Sequence, residues 1–155
     1  MLAKRDEGVT GLAAGPDGLL YVASPSSIFK VKLDGTVTPL AQPAVVADCD
    51  EDLPPNWRAP GFRGLDVETN GTVYAAATGC RRVVKITSTG KVTVICKSDR
   101  PWNPTGVALQ GGNVYVLEWT NANGGSSDGW RPRVRKVASD GKVTTLVTIK
   151  ENMNR

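Results

Sequence analysis

Short apolar runs alternate with polar turns along most of the chain. The runs are rich in Val, Ile, Leu, Thr and Tyr, a composition typical of β-strands. Asp-Gly and Asn-Gly dipeptides separate many of them, and such pairs favour tight hairpin turns because glycine tolerates a positive φ. No long window carries the 3.6-residue apolar period of a helix. We therefore predict strands throughout, the first four at Gly11–Ala14, Leu19–Ala23, Ile28–Lys32 and Val37–Ala41.

The same pattern occurs three times. The stretch VTGLAAGPDGLLYVA at 9–23 returns as FRGLDVETNGTVYAA at 62–76 and, one residue shorter, as PTGVALQGGNVYVL at 104–117. Repeats of roughly 40–50 residues are typical of helical solenoids or propeller blades, and the strand composition favours blades. We predict an all-β fold, a β-propeller made of three four-stranded antiparallel blades in a single domain 1–155. The blades span about 8–41, 61–97 and 103–149, with a Pro-rich insertion at 42–60.

The phased glycine, aromatic and turn positions also carry a family resemblance. They are clearest in NPTGVALQGGNVYVLEW and in RVRKVASDGKVTTL. This pattern resembles NHL-repeat propellers and the related senescence-marker-protein/gluconolactonase-like six-bladed propellers, over nearly the whole chain. The resemblance implies the fold. It does not fix an activity, because propellers host many unrelated functions.

Three blades do not close a ring. An open stack would expose an apolar blade face at each end, and contiguous apolar patches of that size are uncommon on soluble monomers. Either two copies join as a homodimer that completes a six-bladed ring, or the chain is a piece of a longer polypeptide. The sequence begins at a first strand and ends after a fourth strand, which favours the homodimer. We expect blade three of each copy to pack on blade one of the other.

Length variation falls on one side of the predicted blades. The hairpin turns after the first and third strands of each blade are tight, and we call their side the turn face. The connections after the second strand and the blade-to-blade crossings vary in length and form the loop face, where functional residues tend to collect. Aromatic and arginine enrichment favours a contact surface, the alternative being a small loop core with paired charges. The residues concerned are Trp57, Trp102, Trp119, Trp130, Arg58, Arg63, Arg81, Arg82, Arg100, Arg131 and Arg133.

Composition excludes several classes of function. The net charge is +4, and the basic residues are scattered rather than clustered, so we expect no nucleic-acid partner. No apolar run is long enough to span a membrane, and we expect no membrane partner. The opening residues lack the apolar core of a signal peptide, which predicts a cytoplasmic location if the chain is complete. The absence of histidine excludes Ser–His and Cys–His nucleophile pairs within this chain.

Three cysteines leave the redox state open. An odd count fits a reduced chain or one disulfide plus a free thiol. Cys49 and Cys80 both fall on the loop face in neighbouring segments, so a disulfide and two unpaired thiols are both compatible with the sequence. Cys96 belongs to the last strand of the second blade.

The gluconolactonase-like resemblance implies a divalent metal, usually calcium, on the propeller axis. Its ligands would include an Asn and an Asp immediately before the glycine of the first strand of a blade. The matching residues here are Thr10, Arg63 and Thr105, none of which is a carboxylate or an amide. The acidic stretch at 48–52 lacks the spacing of a calcium loop and is interpreted as a solvated loop. We therefore assign no metal ligand and no cofactor.

Two functional hypotheses follow. In the first, the propeller is a scaffold that binds a small anionic or sugar-like ligand, or a protein partner, on its loop face. The ligand-binding candidates are Thr10, Arg63, Arg81, Trp102, Asn103, Thr105, Trp119 and Trp130. The alternative is a gluconolactonase-like hydrolase or lyase with Glu118, which has Trp119 as its neighbour in sequence, as acid or base. The competing interpretation of Glu118 is a salt bridge to a loop arginine. Asp66 and Glu118 are the expected neighbours of Arg63 at the axis.

Overall fold

The computed structural model describes residues 8–42, 44–47, 49, 60–121 and 130–149. These residues form three four-stranded antiparallel sheets with the strands in chain order, which confirms the predicted all-β architecture. Blade 1 contains β1 (Gly11–Ala14), β2 (Leu20–Ala23), β3 (Ile28–Val31) and β4 (Val37–Ala41). Blade 2 contains β5 (Phe62–Val67), β6 (Val73–Ala77), β7 (Arg82–Ile86) and β8 (Val92–Lys97), with a 3-10 helix at Thr78–Cys80. Blade 3 contains β9 (Asn103–Gln110), β10 (Asn113–Asn121), β11 (Trp130–Val137) and β12 (Val143–Thr148).

The hairpin turns have the predicted local chemistry. The turn glycines adopt positive φ, for example 86° at Gly35, 91° at Gly90 and 87° at Gly141. The residue before the glycine often fixes the turn with its side chain: Oδ1 of Asp34 accepts a hydrogen bond of 2.8 Å from the backbone N–H of Thr36. Asp17, Asn70 and Asp140 accept equivalent bonds from the residue two positions on. These short-range signals explain why the hairpin positions are readable from sequence.

Two apolar clusters join the blades. The first lies between blades 1 and 2 and the second between blades 2 and 3. In blades 1 and 2 the repeated tyrosine points toward the following blade: Tyr21 packs in the first cluster and Tyr74 in the second. The hydroxyl of Tyr21 donates to Oδ2 of Asp17 at 2.8 Å, and burial, followed by this carboxylate, raises the pKa of Tyr21 to about 12.

The repeated glycine allows the first strands of neighbouring blades to approach closely. These strands, β1, β5 and β9, are the innermost strands of the propeller blades. A Cβ placed on Gly11 of β1 would lie 2.1 Å from the carbonyl oxygen of Arg63 in β5. A Cβ on Gly64 of β5 would lie 2.7 Å from the carbonyl oxygen of Thr105 in β9. Both distances are far inside van der Waals contact, so only glycine fits. The motif therefore marks the contact between neighbouring blades near the axis.

One carboxylate also bridges blades 2 and 3. Oδ2 of Asp66 accepts a 2.8 Å hydrogen bond from the backbone N–H of Leu109, and its Oδ1 accepts one from its neighbour Val67. Asp66 thus serves the packing of adjacent innermost strands. Within the described part of the chain, no helix has the length and apolar character needed to cross a membrane.

Candidate functional site

A disulfide holds part of the loop face. Cys80 ends the 3-10 helix between β6 and β7 and is bonded to Cys49, with Cα atoms 4.6 Å apart. The bond therefore joins the crossing between blades 1 and 2 to the β6–β7 connection. The third cysteine, Cys96, is a free and buried thiol. Of the two redox alternatives that the sequence left open, the structure contains one disulfide plus one thiol.

Removing the disulfide is expected to destabilise the chain. The bond spans a sequence separation of 31, and closing a loop of that size stabilises a fold by roughly 3–4 kcal/mol. We expect Cys49→Ala/Cys80→Ala to lose about this much free energy of unfolding in urea titrations at a fixed protein concentration. A reducing agent should lower the stability of the parent to the same level and leave the double variant unchanged. Equal stability of the oxidised and reduced parent would contradict the expectation.

Three of the predicted ligand residues lie on, or directly before, the first strands of the three blades. Thr10 precedes β1, Arg63 belongs to β5 and Thr105 belongs to β9. The Thr10 hydroxyl donates to the carbonyl of Ala23 at 3.2 Å, and the Thr105 hydroxyl donates to the carbonyl of Leu117 at 3.4 Å. The two threonines thus hydrogen bond within their own blades.

Arg63 is arranged differently. Its backbone carbonyl is fixed against Gly11, while its side chain is exposed. Its guanidinium makes no hydrogen bond or ion pair with any residue that the structure describes. The carboxylates expected beside it are engaged elsewhere, Asp66 with the backbone of Leu109 and Glu118 with other arginines.

Glu118 lies at the centre of a polar cluster between blades 2 and 3. Its side chain is fully buried, with 0% exposure. Oε1 accepts hydrogen bonds from the hydroxyl of Ser98 and, at 3.3 Å, from Nη1 of Arg135. Oε2 accepts one from Nε of Arg133. The salt-bridge alternative is therefore present in the structure, with both arginines on strand β11 rather than in a loop.

Trp102 completes this cluster. The guanidinium carbon of Arg133 lies 4.1 Å from the centre of the Trp102 ring, which is cation–π geometry. Nη1 of Arg135 also donates to the carbonyl of Lys97 at 3.2 Å. Burial raises the pKa of the nearby Cys96 thiol, against the lowering effect of Arg135, so this thiol is protonated at neutral pH. The cluster thus holds one carboxylate between two guanidinium groups, and Nη2 of Arg133 is buried without a hydrogen-bond partner among the described residues.

The remaining candidates are spread around this cluster. Nδ2 of Asn103 donates to the carbonyl of Pro101 at 3.2 Å at the start of β9. Arg81 follows the 3-10 helix with a φ of 51°, and its carbonyl accepts a bond from the N–H of Ser98. Trp119 is half-buried on β10, opposite Asn103 and Pro132. The side chains of Trp57, Arg58 and Trp130, together with the acidic residues at 48 and 50–52, lie outside the described residues.

Sequence reasoning missed two partners of Glu118, namely Ser98 and Arg135. A signal was available for Arg135: in the run Arg131, Arg133, Arg135 the arginines recur at every second residue, which puts them on one face of a strand. For Ser98 there was no local signal, because it reaches Glu118 from another blade. Among the described residues, no three His, Cys, Asp or Glu side chains lie close enough together to hold one metal ion.

The three sheets are blades of a β-propeller, and solved structures share this architecture. No protein-family model and no curated protein matches the sequence. A streptogramin B lyase matches with a TM-score of 0.65 and 18% identity, over 93% of this chain and 42% of that one. A virginiamycin B lyase from Staphylococcus aureus matches with a TM-score of 0.58 and 14% identity, over 97% and 58%. A gluconolactonase from Xanthomonas campestris matches with a TM-score of 0.65 and 11% identity, over 92% and 48%.

The chain thus spans about half the length of the solved proteins that it matches. This confirms the predicted resemblance to gluconolactonase-like six-bladed propellers at the level of the fold. Identities of 11 to 18% show a shared fold and carry no activity from those proteins to this one.

Proposed function

We propose that this chain is a half-propeller scaffold that binds a small anionic ligand on its loop face through Arg63. One observation carries the proposal. Arg63 is an exposed guanidinium on an innermost strand, and it has no hydrogen bond or ion pair with the described residues, whereas Arg133 and Arg135 are both paired with Glu118.

The geometry around Arg63 suits an anion. The contact between its carbonyl and Gly11 fixes the backbone, so the side chain starts from a defined position. A planar guanidinium can grip a carboxylate or a phosphate with two parallel hydrogen bonds. The hydroxyls of Thr10 and Thr105 flank it on the adjacent strands and can rotate toward a ligand.

The catalytic alternative receives less support from the geometry. Glu118 has 0% exposure, and both of its oxygens accept bonds from cationic groups. Use of Glu118 as an acid or base would require these contacts to break first. A lactonase-like hydrolase or lyase therefore stays a hypothesis for which no observed contact provides the catalytic group.

Anion titration tests the proposal. Melting temperature is followed with sulfate, phosphate and gluconate, with ionic strength held constant by sodium chloride. We expect at least one of these anions to raise the melting temperature by on the order of 5 °C at saturation, because a ligand that binds only the folded state stabilises it. Arg63→Ala should abolish the rise.

The matched control is Lys142→Ala, which removes an exposed cation from the turn face. It should keep the full anion effect. An equal rise in the parent and in Arg63→Ala would refute the proposal, as would a parent protein that no anion stabilises.

A further inference from the structure

The two outer faces of the three-blade stack lack the cover that equivalent positions have inside it. Leu12 on blade 1 is 65% exposed, whereas its repeat counterpart Leu65 on blade 2 is 7% exposed. On the other end of the stack, Leu117 of blade 3 is 44% exposed, whereas its counterpart Ala76 is fully buried. The repeat therefore places apolar side chains at positions that only another blade would bury.

The glycine pattern shows what kind of surface is missing on blade 3. Gly11 and Gly64 each receive the backbone of the next innermost strand. Gly106 has the same repeat position, yet a Cβ there would meet only Leu117 of its own blade, at 3.5 Å. Beside it lies an apolar groove of about 390 Å³ lined by Val107, Ala108, Tyr115, Leu117 and Val134. Gly106 thus leaves room for the first strand of another blade, and the described chain places no strand beside it.

We infer that a second copy of this chain covers both faces. In this arrangement the innermost strand β1 of one copy packs against Gly106 of the other, and Leu12 enters the groove beside Tyr115. The contact repeats the two blade contacts already present within the chain, so each copy supplies both of the surfaces required. A twofold axis closes the ring at six blades, which agrees with the chain being about half of the propellers that it matches.

Closure also completes the candidate anion site, and this part rests on the proposed function. Thr10, Arg63 and Thr105 lie on innermost strands, so each occurs twice around the axis of a six-bladed ring. Two Arg63 guanidinium groups then face each other across the central axis, where an anion relieves their mutual repulsion. The ligand is therefore expected to bind once for every two chains.

Mass measurement tests the pairing. Light scattering after size exclusion at micromolar concentration should give twice the chain mass of 16.4 kDa. Gly106→Ala should give a folded monomer, because its new methyl group makes ordinary contacts within the chain but blocks the incoming strand. We expect the dimer dissociation constant to rise at least 100-fold, with an unchanged far-ultraviolet circular dichroism spectrum.

A second pair of variants tests the same contact independently if Gly106→Ala folds poorly. Leu12→Asp places a charge in the proposed contact and should also give a monomer. Leu33→Asp is the matched control, because Leu33 is 83% exposed in the β3–β4 turn, away from the contact. It should remain a dimer.

Several results would overturn the inference. One is a parent that is monomeric at micromolar concentration, as expected if the other blades belong to a longer polypeptide. Another is a dimer that withstands both Gly106→Ala and Leu12→Asp. Anion stabilisation that depends on Arg63 in a monomeric parent would leave the proposed function standing while the pairing fails. In a confirmed dimer, calorimetry showing one anion per chain would overturn the shared site alone.

Discussion

Glu118→Gln is expected to lower the free energy of unfolding by about 3 kcal/mol or more, because it leaves two largely buried arginines without their counter-charge. Arg133 and Arg135 each have 14% side-chain exposure and both contact this carboxylate. The neutral amide can accept from one of them, and its NH₂ group would face the other donor. Urea denaturation at fixed protein concentration measures the loss.

The control for this substitution is Glu68→Gln. Glu68 accepts a 3.4 Å hydrogen bond from the hydroxyl of Tyr74, which a glutamine oxygen can also accept, so little change is expected. A triple variant, Glu118→Leu/Arg133→Met/Arg135→Met, should recover much of the loss, since replacing buried ions by apolar groups of similar size is often neutral. If Glu118→Gln cost less than 1 kcal/mol, the cluster would have to be open to water.

Gly11→Val is expected to cost about 3 kcal/mol, the upper part of the usual range for overpacking. Its Cβ would lie 2.1 Å from the carbonyl oxygen of Arg63, and a backbone atom cannot move aside as a flexible side chain can. Gly11 does not have a positive φ, so the effect measures the close approach of β1 and β5 rather than a backbone preference. Thermal and urea denaturation provide the measurement.

Gly8→Val is the matched control for that substitution. A Cβ on Gly8 meets no atom within 4 Å, and this glycine also lacks a positive φ. Its stability should stay within about 0.5 kcal/mol of the parent. Equal stability of Gly8→Val and Gly11→Val would mean that the innermost strands lie farther apart than the structure places them.

The blades were predictable because their signals are local. Alternating apolar runs define the strands, and the side chain of Asp34 and the positive φ of Gly35 define a turn within a few residues of each other. Of the first four predicted strands, two have the observed bounds and two are one residue too long. The strands of the other two blades were predicted from the repeat, since the three aligned copies constrain one another's strand positions.

The site was harder to predict because its contacts join distant parts of the chain. Ser98 lies 20 residues before Glu118 and reaches it from another blade. The pairing of Glu118 with Arg133 depends on the register of β10 and β11, and no short turn motif between these two strands indicates that register in the sequence. The role of Gly11 was equally hidden, since the atom it approaches belongs to the next repeat.

The faces of each blade differ in a way that gives the stack a direction. Every observed blade contact joins the tyrosine face of one blade to the opposite face of the next, with Tyr21 and Tyr74 both pointing forward along the chain. Chains that associate through these faces must therefore join head to tail, and a head-to-head pair would leave the Gly106 groove empty. Head-to-tail contacts close into a ring only when the blade angles sum to a full turn. The number of copies is then a property of the angle between blades, so a substitution that changes this angle could alter the stoichiometry while preserving every contact.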